Sequence, residues 1–97
     1  MPGRRYYFVY IVANARHSVL YTGVTRDLRR RIAAHRAGVG AAFAVRYHAR
    51  HLVWYEVHED PGVAIAREKQ LKSGSRRRKV DLVEAKNPDW RDLWEEL

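Results

Sequence analysis

The sequence predicts an α+β domain on three observations: short runs of aromatic and β-branched residues, helical segments with identifiable start signals, and turn residues at the joins between them. At 97 residues, with 46% hydrophobic and 31% charged side chains, the chain is expected to form a single domain over residues 1–97. A chain this short buries only about two-thirds of the surface it exposes unfolded, so few apolar side chains can be spared for solvent. No internal repeat, low-complexity tract or linker interrupts it.

Tyr6-Tyr-Phe-Val-Tyr-Ile-Val-Ala13 has no helical period and reads as a strand covered on both faces. After the polar stretch 14–18, Val19-Leu-Tyr-Thr-Gly-Val24 reads as a second strand, paired with the first in a hairpin. Gly23 inside it marks a bend or a close approach to the backbone. Thr25 is the expected N-cap of a first helix, with Asp27 in its first turn, Leu28 and Ile32 as an apolar i,i+4 pair, and an end near Gly38. Leu52-Val-Trp-Tyr-Glu-Val57 follows a Gly/Ala-rich stretch as a third strand. Asp60-Pro61 then starts a helix that runs to Ser73-Gly74, and Ser75 caps another carrying Val80 and Val83. Asn87-Pro88 is expected to break that helix and begin a last one, with Trp90, Leu93, Trp94 and Leu97 on one apolar stripe. That helix is acidic, which favours a core role for its tryptophans over a base-stacking one.

Charge is distributed unevenly. Residues 1–51 hold ten arginines, Arg4 included, and one acid, so that half carries +9 and the remainder −1, for a formal +8. A polyanion is the partner such a half fits, since each phosphate neutralised releases counterions. Absence of cysteine excludes disulfides and thiolate metal sites. The apolar stretch behind Met-Pro-Gly-Arg-Arg is too brief to span a bilayer and lacks a small-residue cleavage site. A soluble, cytoplasmic protein with no membrane partner is expected.

One residue breaks its own pattern. On the helix from Pro61, Ala64, Ile65 and Leu71 define an apolar face, and at about 100° per residue Glu68 falls within it. A carboxylate there needs a partner, and a salt bridge to an arginine of the first helix is the plain one. Tyr10 and Tyr21 lie on adjacent strands, and Arg31 and His35 are four apart on the first helix. Phenol, guanidinium, imidazole and carboxylate can thus converge where hairpin and helices meet. Separately, Arg76-Arg77-Arg78-Lys79 at a helix start is either solvated or a phosphate contact.

With these residues the chain resembles the GIY-YIG endonuclease superfamily, and its small stand-alone bacterial branch. The two name-giving motifs correspond to Phe8-Val9-Tyr10 and Tyr21-Thr22-Gly23, eleven residues apart from tyrosine to tyrosine. Tyr21 to His35 is similar to the family's strand-to-helix segment, Ala66-Arg67-Glu68-Lys69-Gln70-Leu71-Lys72 to its metal-binding helix, and Asn87-Pro88-Asp89-Trp90-Arg91-Asp92-Leu93 to a tail of the small branch. Phe8-Val9 replaces the Gly-Ile of the name, and Ala44 stands where a hydroxyl is frequent, ahead of Arg46-Tyr47.

The resemblance implies a small three-stranded antiparallel sheet flanked by helices, and metal-dependent hydrolysis of phosphodiester bonds in DNA, single-stranded or branched substrates and RNA included among the options. It implies Glu68 as ligand of Mg²⁺ or Mn²⁺, Tyr21 as general base, Arg31 as phosphate clamp, and Tyr10 and His35 in support. A hard cation with one carboxylate and several waters suits this set, and the arginine fork matches phosphate oxygens. A phenol titrates near pH 10 and needs cationic neighbours to act as a base at neutrality. Arg26, Arg29, Arg30, Arg46, Arg76, Arg77, Arg78 and Lys79 are the candidate nucleic-acid contacts. DNA repair is the setting such an activity would serve, with targeting supplied by a protein partner where needed. The alternative is a non-catalytic nucleic-acid-binding module of the same fold.

Overall fold

The structure is a computed structural model that describes residues 5–97; Met1, Pro2, Gly3 and Arg4 of the basic half lie outside it. The order is β1 (Tyr7–Ala13), β2 (Leu20–Thr25), α1 (Leu28–Arg36), α2 (Ala42–Arg46), β3 (His51–His58), α3 (Pro61–Ser73), α4 (Arg76–Lys86) and a 3₁₀ turn at Leu93–Glu96. The strands form one antiparallel sheet in the order β2-β1-β3. The three-stranded sheet flanked by helices is therefore the fold observed. Among the described residues no helix is long and apolar enough to cross a membrane.

Because β1 is central, its side chains alternate between two covered faces, which is why it reads as apolar throughout. Val9, Ile11 and Ala13 pack with Ala64 and Leu71 of α3 and Val83 of α4. Tyr10 and Val12 pack on the other side with Leu28 and Ile32 of α1, Ala44 of α2 and Leu93. In β3 the alternation breaks: Ile11 faces Trp54 and Val12 faces Leu52, leaving Val53 unopposed. This bulge turns both Val53 and Trp54 into the α3/α4 layer.

Several helix ends differ from expectation. Asp27, not Thr25, caps α1: its carboxylate accepts from Arg30 N–H at 3.0 Å, while Thr25 Oγ1 accepts from Asp27 N–H at 3.1 Å and forms the turn before the helix. The Gly/Ala-rich stretch, which the sequence reading assigned to no element, contains α2. Asp60 and Ser75 cap α3 and α4 as expected, through Val63 N–H and Arg78 N–H. Ile65 is 46% exposed and not part of the core. The stripe of α3 that faces the sheet is Ala64, Glu68 and Leu71, and Ile65 is turned a further 100° away from it.

The last helix does not form. Trp90 has φ 54°, a left-handed conformation that a helix excludes. Buried Asn87 holds that turn: it accepts from Arg91 N–H at 3.0 Å, and its Nδ2 donates to Arg91 O at 2.9 Å and to Val53 O, at the bulge, at 3.1 Å. Trp90 then packs in the α3/α4 layer, stacked on His17 at 4.8 Å, while Leu93, Trp94 and Leu97 join the α1 layer. A continuous helix could not deliver side chains to both faces of the sheet. The core role expected of the tryptophans holds, though not in a stripe. Asn87→Ala should orphan the bulge carbonyl and lower stability by about 1–3 kcal/mol. Urea unfolding checks this; an unshifted midpoint would show that the bulge is held otherwise.

Candidate active site

Tyr10 and Gly23 are cross-strand partners in β1 and β2. The Tyr10 ring lies against Gly23, where an added Cβ would collide with Cζ and Oη of the phenol. The missing side chain lets the phenol cross the edge strand and reach α1, where Oη and His35 Nε2 hydrogen-bond at 2.9 Å. Both residues are buried. His35 sits on the sheet-facing side of α1 with Leu28 and Ile32, and its Nδ1 is buried with no hydrogen-bond partner among the described residues.

Burial decides the protonation of this pair. It pushes the Tyr10 hydroxyl up to about 12, against the opposing effect of the adjacent Arg31 guanidinium, with Tyr21 and the Glu68 carboxylate adding to the rise. Burial, helped by the Arg31 charge, lowers His35 below its usual 6.5. Both are neutral at physiological pH. An unfolded imidazole titrates near 6.5, so the stability tied to His35 is fully present above that pH and lost as pH falls below it. For Tyr10 the contribution is present below about pH 10 and lost as pH rises toward about 12.

Around this neutral pair stand the charged groups. With β2 at the sheet edge, no further strand separates the two layers, and α3 lies against that edge. Tyr21, half-buried on β2, has its ring 5.8 Å from His35 and 6.2 Å from Phe43. Lys72 Nζ lies 5.4 Å from the Tyr21 ring centre and 3.6 Å from Glu68 Oε2, whose side chain is 16% exposed. The protein group beside Glu68 is this lysine and not an arginine of α1. Arg31 faces a cleft of about 590 Å³ between α1 and α3, shared with Arg26, Arg30, Tyr7 and Ile65. Tyr10, Tyr21, Arg31, His35 and Glu68 are thus brought to one place.

The GIY-YIG catalytic domain model matches residues 6–81. The chain belongs to the GIY-YIG family. A UPF0213 protein of Haloquadratum walsbyi is 39% identical over 79 residues, covering 81% of this chain and 88% of that protein. A UPF0213 protein of Staphylococcus aureus is 36% identical over 77 residues, covering 79% and 93%. The solution NMR structure of a UPF0213 protein from Bacillus halodurans matches with TM-score 0.55 and 31% identity, over 91% of this chain and 93% of that one. GIY-YIG domains are of nuclease type, with nucleic acids as their general substrates, and in this chain the segments matching the two motifs of the name meet where the Tyr10 ring lies against Gly23.

The other basic candidates of this GIY-YIG chain are dispersed. Arg26 and Arg30 line the cleft beside Arg31. Arg29 instead donates to Leu97 O at 2.7 Å and covers the Trp94 ring. Arg46 lies over Tyr47. On α4, Arg76 donates to the His17 and Ser18 carbonyls of the hairpin loop, Arg77 pairs with Asp81 at 3.2 Å, Arg78 is exposed, and Lys79 Nζ lies 3.5 Å from Gly74 O. Lys72 and Phe43 were not picked out by sequence reasoning. The i,i+4 spacing of Lys72 from Glu68 was the available signal; nothing local pointed to Phe43.

No metal-type cluster of three or more His, Asp or Glu exists among the described residues. A single, mostly buried carboxylate is the donor set Mg²⁺ accepts when waters and a substrate phosphate complete its shell, so Glu68 fits that group. Gly23→Ala should drive the phenol off His35. The expected results are a His35 titration that moves up toward 6.5 by NMR and a stability loss of about 1–3 kcal/mol. An unchanged titration and unfolding midpoint would show that the contact does not constrain the site.

Proposed function

We propose that this chain is a divalent-metal-dependent endonuclease that hydrolyses phosphodiester bonds in DNA. The observation that carries the reading is the convergence of Tyr21, Arg31 and Glu68 around the buried Tyr10–His35 pair. In it Tyr21, as the phenolate, takes the proton from the attacking water while the new P–O bond forms and the bond from phosphorus to the leaving sugar oxygen breaks, that oxygen taking a proton from solvent. The choice between the two tyrosines rests on environment: Tyr10 is fully buried and keeps its proton up to about 12, whereas Tyr21 is half-buried at the edge strand. Arg31 offers two parallel N–H donors to the phosphate oxygens on which charge builds during displacement. Glu68 holds Mg²⁺ or Mn²⁺, which when bound supplies further neutralisation of that charge. His35 and Tyr10 position Arg31 and Tyr21 without exchanging protons at neutral pH.

Incubation of the purified chain with labelled single-stranded, duplex and branched DNA and RNA, with and without Mn²⁺, tests the activity. Glu68→Ala should abolish cleavage while leaving fold and most nucleic-acid affinity, and Arg31→Ala should lower the single-turnover rate by on the order of 10² or more. Undiminished cleavage by Glu68→Ala would overturn the assignment. Binding without cleavage by the unaltered chain would favour the non-catalytic module, in which the Lys72–Glu68 pair is simply an ion pair.

Arg26 and Arg30 form the proposed phosphate track, since Arg29, Arg76 and Arg77 already have protein partners. Removing both Arg26 and Arg30 should flatten the log-log salt dependence of affinity by about 0.7–0.9 for each phosphate that is no longer neutralised. An Arg77→Ala/Arg78→Ala double variant should keep the original slope. Saturated single-turnover cleavage should fall far less in the Arg26 and Arg30 variants than in Arg31→Ala, because uniform binding does not speed the chemical step. Equal slopes for all three proteins would move the track elsewhere.

A further inference from the structure

The cleft beside Arg31 does not account for a second surface on the other side of Tyr21. Phe43 of α2 and Tyr47, which caps its C-terminus, are 49% and 40% exposed, with ring centres 4.8 Å apart. Phe43 is stacked on Tyr21 at 6.2 Å with 26° between planes, so the exposed rings continue the proposed site without a break. Arg46 lies 5.4 Å over the Tyr47 ring. From Leu28 to Tyr55 the chain has no acidic residue, while it has six arginines. Exposed aromatic rings beside the Arg46 guanidinium suit a nucleic acid: phosphates are held by charge and bases by their faces. The tryptophans of the acidic C-terminal segment, by contrast, are at least half-buried.

We propose that Phe43 and Tyr47 form a stacking shelf for unpaired nucleobases adjoining the phosphate cut at Tyr21 and Arg31. The inference rests on the nuclease reading and narrows its substrate class. Inside a duplex both faces of a base are covered by its neighbours, so an aromatic side chain can stack on it only after the base has left the helix. The preferred substrate is therefore a strand with unstacked nucleotides at the cut. Phe43 and Tyr47 bind substrate and take no part in proton transfer.

The test is a fluorescence-anisotropy titration in EDTA, which reads binding alone. Its probes are a labelled oligothymidylate and an abasic deoxyribose-phosphate oligomer of the same length. The unaltered chain should bind the oligothymidylate about 5- to 150-fold more tightly per stacked base. The Phe43→Leu/Tyr47→Leu variant should lose that preference while binding the abasic oligomer as before, which also reports that it is folded. Phe43→Trp should keep or increase the preference. Equal binding of the two oligomers by the unaltered chain, or a preference that survives in the double leucine variant, overturns the shelf; where metal-dependent cleavage persists, the nuclease reading survives that result. Failure to bind either oligomer overturns the shelf as well, and the nuclease reading then falls only if metal-dependent cleavage of every substrate is also absent.

Discussion

The contact between the Tyr10 ring and the bare Cα of Gly23 is what the rest of the site is built on. A side chain of any size at that position would stop the phenol short of α1. With it absent, the Tyr10 hydroxyl meets His35 inside the α1 layer, and the register of strand against strand sets the position of helix against sheet. Buried polar groups are costly unless hydrogen-bonded, so the phenol–imidazole bond also gives α1 one favoured rotation. Arg31, one turn before His35, is thereby held against the same hydroxyl.

A division follows between what is buried and neutral and what is charged and accessible. Tyr10 and His35 have their proton equilibria displaced in opposite directions by the same cause, removal from water. The groups proposed to do the chemistry, Tyr21, Arg31 and Glu68, come from β2, α1 and α3, and they meet because β2 is an edge strand. A fourth strand there would separate the α1 layer from α3. The small size of the sheet is thus part of how the site is made.

Much of the positive charge has structural employment. Arg29 ties down the C-terminus, Arg36 pairs with Asp92, which also accepts from the backbone of β3 at Leu52, and Arg76 closes the hairpin loop. The +9 of the amino-terminal half does point to a polyanion, but it overcounts the arginines free to meet one. A charge sum carries no information about which guanidinium already faces a carbonyl.

The strands, the Asp60 and Ser75 caps and the odd placement of Glu68 were legible in the sequence because each depends on local rules: side-chain alternation, a short oxygen at an N-cap, helical spacing. Gly23 was legible as a close approach, though not what approached it. The sequence also suggested the family, through residues whose order along the chain is enough. Choices between local options were decided only in the folded molecule. Asp27 displaced Thr25 as cap because the threonine hydroxyl was engaged in the turn before the helix, and the tail abandoned its helical stripe because Asn87 had a bulge carbonyl to satisfy and Trp90 a place on the opposite face from Leu93. By itself the sequence determined the three strands, the starts of α3 and α4, and a set of side chains whose chemistry made them candidates. Tertiary structure decided which of them meet, since Tyr10 with His35 and Tyr21 with Lys72 are joined by contacts between separate elements that no periodicity along the chain encodes.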